Sequence, residues 1–227
     1  MVKATSGTKK HRHGFYSRNN YKPYMKDYKF SYWGPFVLET KVEQEFVDIL
    51  LEKGNESREK NLDYRKQLAG VIDNEYYYED FESWFIPKFT PYVNLYIEGL
   101  VSNWIPHHDS IEKYSMNSLW INYQKANDYN PPHNHTGDLS FVAYLQVPDE
   151  IKKENEEMAG VHNNHGPGKI VFEYGVNVPF SIGQYNKMPE AGDIIIFPAW
   201  LTHYVHAFKS DVERISVSGN INFTDER

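Results

Sequence analysis

From Ser115 onward the chain consists of short segments in which apolar residues alternate with polar ones or run continuously. These segments read SLWINYQKA, LSFVAYLQV, KIVFEYG, DIIIFPAW, HYVHAF and RISVSGNINF, and clusters of Pro, Gly and Asn separate them. Short strands joined by turn-forming residues are typical of an antiparallel sandwich or a small barrel. The aromatic content of 16% agrees with a strand-rich body, because aromatic side chains favour half-buried pleated surfaces.

The preceding part of the chain has helical spacing instead. Apolar residues between Leu38 and Leu51 recur at three- and four-residue intervals, which predicts a helix there. The spacing predicts a second helix over about 57–77 and a third over about 80–100. Pro87 and Pro91 are expected to bend or break the third helix, since proline removes a backbone donor and clashes with the preceding turn.

No repeat or low-complexity linker divides the chain, so one domain is predicted over 31–227. Its helical support would span about 38–100 and its β core about 115–224. Residues 1–30 are basic, rich in Tyr and without period, and are interpreted as a separate N-terminal segment.

Charge and composition exclude several classes of partner. A net charge of −7 argues against nucleic-acid binding, which relies on Lys and Arg to neutralise phosphates. The absence of Cys excludes disulfides and thiolate ligands. The sequence contains no apolar run long enough for a membrane span and no secretory signal pattern, so a cytoplasmic protein is expected.

The stretch NPPHNHTGDLSFVAYL carries several possible metal ligands directly before a predicted strand. His133, His135 and Asp138 form this near group, and His203 follows at the end of the segment GDIIIFPAWLTH. Two His and one carboxylate on one face of an Fe(II) ion leave positions open for other molecules. The lack of thiolates disfavours a structural zinc site.

The last predicted strand has one polar and one apolar face. In ERISVSGNIN, Arg214 and Ser216 alternate with Ile215 and Val217, and period-two geometry places the two sets on opposite faces. A guanidinium presents a bidentate fork that matches a carboxylate. On the inner face of a barrel, this row would anchor a small dicarboxylate.

These segments resemble the Fe(II)/2-oxoglutarate-dependent dioxygenases over about residues 119–223. GDIIIFPAWLTHYV is similar to the segment that carries the distal histidine of that family, and RIS is similar to its Arg-x-Ser grip on 2-oxoglutarate. PPHNHTGDLSFVAYL resembles the histidine segment of prolyl-hydroxylase-like members, particularly a subgroup common in phage genomes. A phage-encoded protein would act in the host cytoplasm.

The resemblance implies a mostly β fold with N-terminal helices: a double-stranded β-helix, or jelly roll, of the cupin-like barrel type. It implies Fe(II), 2-oxoglutarate and O2 as cofactor and cosubstrates. The expected reaction is hydroxylation of a small-molecule or peptide substrate, peptidyl proline among the candidates, with release of succinate and CO2. The segment over 150–168 is expected to act as a lid.

The sequence does not match the family pattern of His-x-Asp or His-x-Glu, because it has His133-Asn134-His135 at this position. In one register His133 and His135 both bind the metal, and His135 takes the place of the carboxylate. In the other, His135 binds together with Asp138. His203 is a ligand in both. Strand spacing favours the first register, and the chemistry of a carboxylate ligand favours the second.

Two tyrosines are predicted to contact the cosubstrate. Tyr123 precedes the histidine segment on a strand, and Tyr144 shares the inner face of the strand over 139–147 with Ser140 and Val142. The remaining loop histidines are interpreted as non-ligands: His107, His108, His162 and His165.

Two other functions remain open. One is a three-His cupin-like metalloenzyme that uses no 2-oxoglutarate, and the His-x-His motif favours it. A non-enzymatic jelly roll, such as a virion or carbohydrate-binding module, would carry these histidines incidentally.

Overall fold

The computed structural model describes residues 34–103, 113–159 and 166–224. The chain clusters into two units, Met1–Trp33 and Gly34–Arg227, and every described residue belongs to the second. The predicted basic segment lies outside the described residues, as do the four loop histidines at 107, 108, 162 and 165.

The β core consists of two antiparallel sheets, which confirms the predicted mostly β, jelly-roll class. One sheet has six strands in the order β1-β8-β5-β10-β3-β2, and the other has four in the order β4-β9-β6-β7. The strands are β1 (Leu38–Lys41), β2 (Glu75–Tyr77), β3 (Lys113–Gln124), β4 (Asn130–His133), β5 (Leu139–Gln146), β6 (Ile170–Glu173), β7 (Gln184–Lys187), β8 (Asp193–Pro198), β9 (Thr202–Val205) and β10 (Arg214–Thr224).

Helices cover the outer face of the six-stranded sheet. Their apolar side chains, such as Phe46, Leu50 and Phe89, form one buried core with the outward residues of the strands, such as Phe141. These covering helices are α1 (Gln44–Glu59), α2 (Phe81–Trp84) and α3 (Ile86–Asn103), and a further helix, α4 (Asp149–Met158), follows β5.

The prediction of a helix over 57–77 was wrong. After α1 ends, the chain forms a short 3-10 turn at Arg65–Gln67 and then strand β2. The backbone N–H of Tyr77 donates to the carbonyl of Leu62, and β2 pairs with β3. The pairing of β2 with a buried strand therefore outweighs the helical spacing of a few apolar residues, because tertiary context overrides weak local preference.

Three further boundaries differ from prediction. The start of the first predicted helix is strand β1, which pairs with β8. The third predicted helix is interrupted at Phe85, two residues before Pro87, and forms the separate helices α2 and α3. Pro87 has no backbone N–H and therefore cannot donate the hydrogen bond that would continue α2. The segment predicted as a lid loop over 150–168 is largely helix α4 in its described part.

Alternation along β5 divides the side chains as predicted. Phe141 and Ala143 join the core under the helices, and the rings of Phe141 and Phe89 lie 4.4 Å apart. Val142 and Tyr144 point the other way, into the space between the two sheets. The inner face therefore carries the cleft described next.

Candidate metal and cosubstrate site

Three histidines from the smaller sheet and its adjoining loop meet at one point. His133 ends β4 and lies opposite His203 of β9 in the antiparallel register. His135 follows two residues later, and its backbone N–H donates to the carbonyl of Ala199 over 2.8 Å. One ring nitrogen from each residue lies within 4.8 Å of the others, which is the spacing of ligands around one metal ion.

Backbone carbonyls fix the orientation of two of these rings. Nδ1 of His133 donates to the carbonyl of Pro131 over 2.7 Å, and Nδ1 of His203 donates to the carbonyl of Leu201 over 2.9 Å. A carbonyl can only accept, so the proton of each neutral ring sits on Nδ1. The lone pair of Nε2 is then free for a metal, as is usual when a ligating His donates its other nitrogen.

Burial keeps all three rings neutral. It lowers the pKa of His135 to about 4 and that of His203 to about 3, and it also lowers the pKa of His133. Neighbouring histidines add to the effect for His135 and His203. A metal requires the neutral imidazole, so the site presents its ligands in the binding form at pH 7.

Asp138 does not belong to this group. Its Oδ2 accepts the backbone N–H of Phe223 over 2.7 Å, and its own N–H donates to the carbonyl of Ile221. Gly137 makes this approach possible with a φ of 106°, and a Cβ there would lie 2.9 Å from the carbonyl oxygen of Ile221. The structure thus brings His133, His135 and His203 together, whereas Asp138 fastens the start of β5 to the end of β10.

A cleft between the sheets extends from the histidines to Arg214. Arg214 is 2% exposed, and its guanidinium donates to the carbonyl of Gly168 over 2.8 Å and to Oε1 of Gln124. Within the described part of the chain, its Nε has no hydrogen-bond partner and no carboxylate forms an ion pair with it. Burial of an unpaired cation is costly, so this end of the cleft is suited to an anion.

Tyr144 and Ser216 stand beside this guanidinium on the cleft wall. The guanidinium carbon of Arg214 lies 5.4 Å from the ring centre of Tyr144. The buried Tyr144 hydroxyl has no hydrogen-bond partner among the described residues. Burial raises its pKa to about 12, so the phenol keeps its proton and remains a donor. Ser216 accepts a long bond of 3.4 Å from Asn122.

The prediction that Tyr123 contacts the cosubstrate needs correction. Its hydroxyl donates to Asn55 over 2.9 Å, and the guanidinium of Arg58 lies over its ring. Both partners belong to α1, on the outer face of the sheet. Since alternate residues of β3 face opposite ways, the neighbours Asn122 and Gln124 are the ones that reach the inner face.

The sequence reasoning missed several polar residues of the cleft. Trp120 and Asn122 line it from β3, and period two counted from the outward Tyr123 would have found them. Glu75 lines it from β2. It could not be found in this way because its segment has the apolar spacing of a helix.

Comparison with known families agrees with this geometry. Residues 118–220 match the family model described as "Putative 2OG-Fe(II) oxygenase". Over these residues the β core is similar to that family. The matched stretch contains the three converging histidines and Arg214. No curated protein matches this chain by sequence.

Several solved structures are similar to this chain in fold. A prolyl-4-hydroxylase from Pseudomonas putida is 11% identical with a TM-score of 0.52, and the match covers 85% of this chain and 94% of that one. The viral collagen prolyl hydroxylase of Paramecium bursaria Chlorella virus 1, in its 2-oxoglutarate complex, is 15% identical with a TM-score of 0.51, covering 83% and 96%. The carbocyclase SnoK from nogalamycin biosynthesis is 12% identical with a TM-score of 0.54, covering 83% and 79%.

None of the described helices is long and apolar enough to cross a membrane.

Proposed function

We propose that this chain binds Fe(II) through His133, His135 and His203, and 2-oxoglutarate through Arg214. The observation that carries the proposal is the buried guanidinium without an ionic partner in the same cleft as three converging neutral histidines. An anion that also reaches the metal satisfies both ends of this cleft. A short dicarboxylate with an oxo acid at one end has this chemistry.

The histidine set fits Fe(II), since imidazole nitrogen is a good ligand for first-row divalent metals. His135 takes the position where the family pattern places a carboxylate, which is the first of the two registers open from the sequence. Replacing a carboxylate by a neutral ring leaves the metal site one unit more positive. A dianionic cosubstrate bound beside the metal offsets that charge.

The cosubstrate end of the cleft provides donors of fixed direction. Nε of Arg214 and the hydroxyl of Tyr144 are both buried and have no hydrogen-bond partner in the described ranges, and a carboxylate placed between them would accept from both. Gln124 and the carbonyl of Gly168 hold the guanidinium in place. The donors are therefore oriented before the ligand arrives, which lowers the entropic cost of binding.

Bound Fe(II), 2-oxoglutarate and O2 together supply an oxidant that hydroxylates a C–H bond, with succinate and CO2 as the other products. The part of this chain is to bind both groups, to orient them between two rigid sheets and to keep water away from the reacting atoms. The substrate is a peptide or a small molecule. Peptidyl proline is a candidate because two of the similar folds are named as prolyl hydroxylases.

Calorimetric titration of 2-oxoglutarate into the protein loaded with Mn(II) tests the proposal. Arg214→Ala should weaken binding by about 2–5 kcal/mol, the range for removing one partner of a buried charge pair. Arg214→Lys should recover only part of this, because an ammonium cannot reproduce the planar fork. Arg58→Ala is the matched control, since Arg58 lies on the outer face over Tyr123. Equal affinity in Arg214→Ala and wild type would contradict the proposal.

The three-His set also favours a second candidate, a metalloenzyme that uses no 2-oxoglutarate. It predicts tight metal binding without any binding of 2-oxoglutarate. The same titration separates the two candidates.

A further inference from the structure

A row of polar side chains crosses the inner face of the six-stranded sheet. Tyr144 of β5 lies opposite Ser216 of β10, Ser216 lies opposite Asn122 of β3, and Asn122 lies opposite Glu75 of β2. All four line the cleft. Three of them carry a buried polar atom without a hydrogen-bond partner among the described residues: the Tyr144 hydroxyl, Asn122 Oδ1 and Glu75 Oε2.

One small cosubstrate cannot satisfy the whole row. Three strand spacings separate Tyr144 from Glu75, which amounts to ~14 Å across the sheet. A five-carbon dicarboxylate that joins Arg214 to the metal occupies the Tyr144 end. Glu75, on the edge strand at the other end, is left for a different molecule.

Glu75 is an unusual group to bury without a partner. It is 1% exposed, and Arg214, the cation of the cleft wall, instead donates to Gln124 and to the carbonyl of Gly168. Charges nearby are mostly acidic: Asp128 and Asp63 raise the pKa of Glu75, while Arg65 lowers it. Arg65 is itself paired with Asp63 over 2.9 Å.

Glu75 and Asn130 place two acceptor oxygens close together on the wall of the cleft. A Cβ placed on Gly70 would lie 2.8 Å from Glu75 Oε1 and 2.5 Å from Asn130 Oδ1, so both oxygens pack closely against residue 70. The other carboxyl oxygen, Glu75 Oε2, has no hydrogen-bond partner among the described residues. Two neighbouring acceptors on the cleft wall match a group that carries several N–H donors.

We propose that Glu75 is a specificity-determining residue that pairs with a protonated amine or guanidinium of the substrate, with Asn130 as a second acceptor. The inference rests on the proposed function, because it assigns this end of the cleft to the substrate of the oxygenase. The cleft is then basic at the Arg214 end and acidic at the Glu75 end. A substrate with a cationic side chain or amino group enters in one orientation only.

Paired probes of equal shape test this assignment. Nα-acetyl-L-arginine amide and Nα-acetyl-L-lysine amide, which lack the α-ammonium group, are titrated against the neutral Nα-acetyl amides of L-citrulline and L-2-aminoheptanoic acid. The protein carries Mn(II) and 2-oxoglutarate in one series and is metal-free in the other. The wild type should prefer each cationic probe by about tenfold, a typical effect of one partly desolvated charge pair. Burial, the largest cause, raises the pKa of Glu75 to about 8, so binding should also release a proton, seen as a dependence of the heat on the buffer.

Two variants and one control complete the test. Glu75→Gln should abolish both the preference and the proton release. Gly70→Ala should weaken binding of the cationic probes without changing any charge, because the added Cβ would displace Glu75 Oε1 and Asn130 Oδ1. Glu213→Gln is the control, because Glu213 pairs with Arg58 away from the cleft. Equal binding of charged and neutral probes to the wild type, or a preference that survives Glu75→Gln, overturns the inference. Failure of the wild type to bind 2-oxoglutarate contradicts the proposed function instead, and the metal-free titration still decides the role of Glu75.

Discussion

The two faces of the six-stranded sheet share the same strands but differ in almost every physical property. The outer face is a continuous apolar core, in which residues such as Phe141, Val217 and Leu119 pack under helices α1 and α3. The inner face carries buried Arg214, Asn122 and Glu75, each with a polar atom that has no hydrogen-bond partner among the described residues. The polar atoms of the inner face therefore leave room for ligands, as proposed above, whereas the outer face is packed within the protein.

Because of this difference, outward residues of a strand contribute mainly to stability, and inward residues of the same strand contribute mainly to binding. A buried polar atom without a partner costs about 1–3 kcal/mol, so the inner face weakens the fold that the outer face supports. An unfavourable free energy of this kind is typical of functional sites. Substitutions on the two faces should therefore affect different measurements.

The largest effect is expected at the metal. His203→Ala and His135→Ala should each abolish tight Fe(II) binding, because two remaining ligands leave the coordination incomplete. Asp138→Ala is the control and should keep the metal, since Asp138 accepts a backbone bond outside the histidine group. Anaerobic titration with Fe(II) measures this, and loss of the metal in Asp138→Ala would restore the second register.

The outer face should show a large effect on stability alone. Phe141→Ala should lower the free energy of unfolding by about 3–5 kcal/mol, because Phe141 is buried between Phe85 and Phe89. Denaturant unfolding gives the value. The fraction that stays folded should bind 2-oxoglutarate normally, and a selective loss of that binding would break the division between the faces.

In the cleft, two groups should give opposite pH dependence to the metal-free protein. His135 has a pKa of about 4 in the folded chain, so the free energy of unfolding should fall as pH drops from about 6.5 to 4. Glu75 has a pKa of about 8, so it should make that free energy fall as pH rises from about 4.5 to 8. Each slope is at most about 1.4 kcal/mol per pH unit.

Urea unfolding of His135→Gln and Glu75→Gln at a series of pH values separates these contributions. The first variant should flatten the acid side of the profile and the second the alkaline side. Profiles parallel to that of the wild type would show that neither ring nor carboxyl is held in its neutral form.

The smallest effect is expected for Tyr144→Phe. It removes a hydroxyl that has no hydrogen-bond partner among the residues that the structure describes, so the free energy of unfolding should change little. Affinity for 2-oxoglutarate should fall by about 0.5–1.5 kcal/mol, the net value of one hydrogen bond. Calorimetry on the Mn(II)-loaded protein measures it, and unchanged affinity would place the cosubstrate away from Tyr144.

Much of the β core follows from the sequence because a strand with two unlike faces fixes its own orientation. The alternation of Arg214 and Ser216 with Ile215 and Val217 predicts which side faces the cleft, and the structure agrees. The short edge strands escaped prediction, since β2 and β7 have only three or four residues and too little pattern to detect.

The candidate site was less predictable than the β core, because its geometry depends on turns and on contacts between residues far apart in sequence. Two registers for the near ligands stayed open because residue spacing alone does not say where a turn directs its side chains. The hydrogen bond from Phe223 to Asp138 joins residues that are far apart in sequence, and no local pattern encodes it. Glu75 reaches the cleft only through the pairing of β2 with β3.

The central claim is that one cleft holds a metal on three histidines and 2-oxoglutarate on Arg214 at the same time. Anaerobic titration of the protein with Fe(II), followed by 2-oxoglutarate, tests it through the visible charge-transfer absorption of a metal-chelated 2-oxo acid. The account predicts that this band appears with wild type, is absent with His203→Ala and needs more 2-oxoglutarate with Arg214→Ala. A wild-type protein that binds Fe(II) but never develops the band would contradict it.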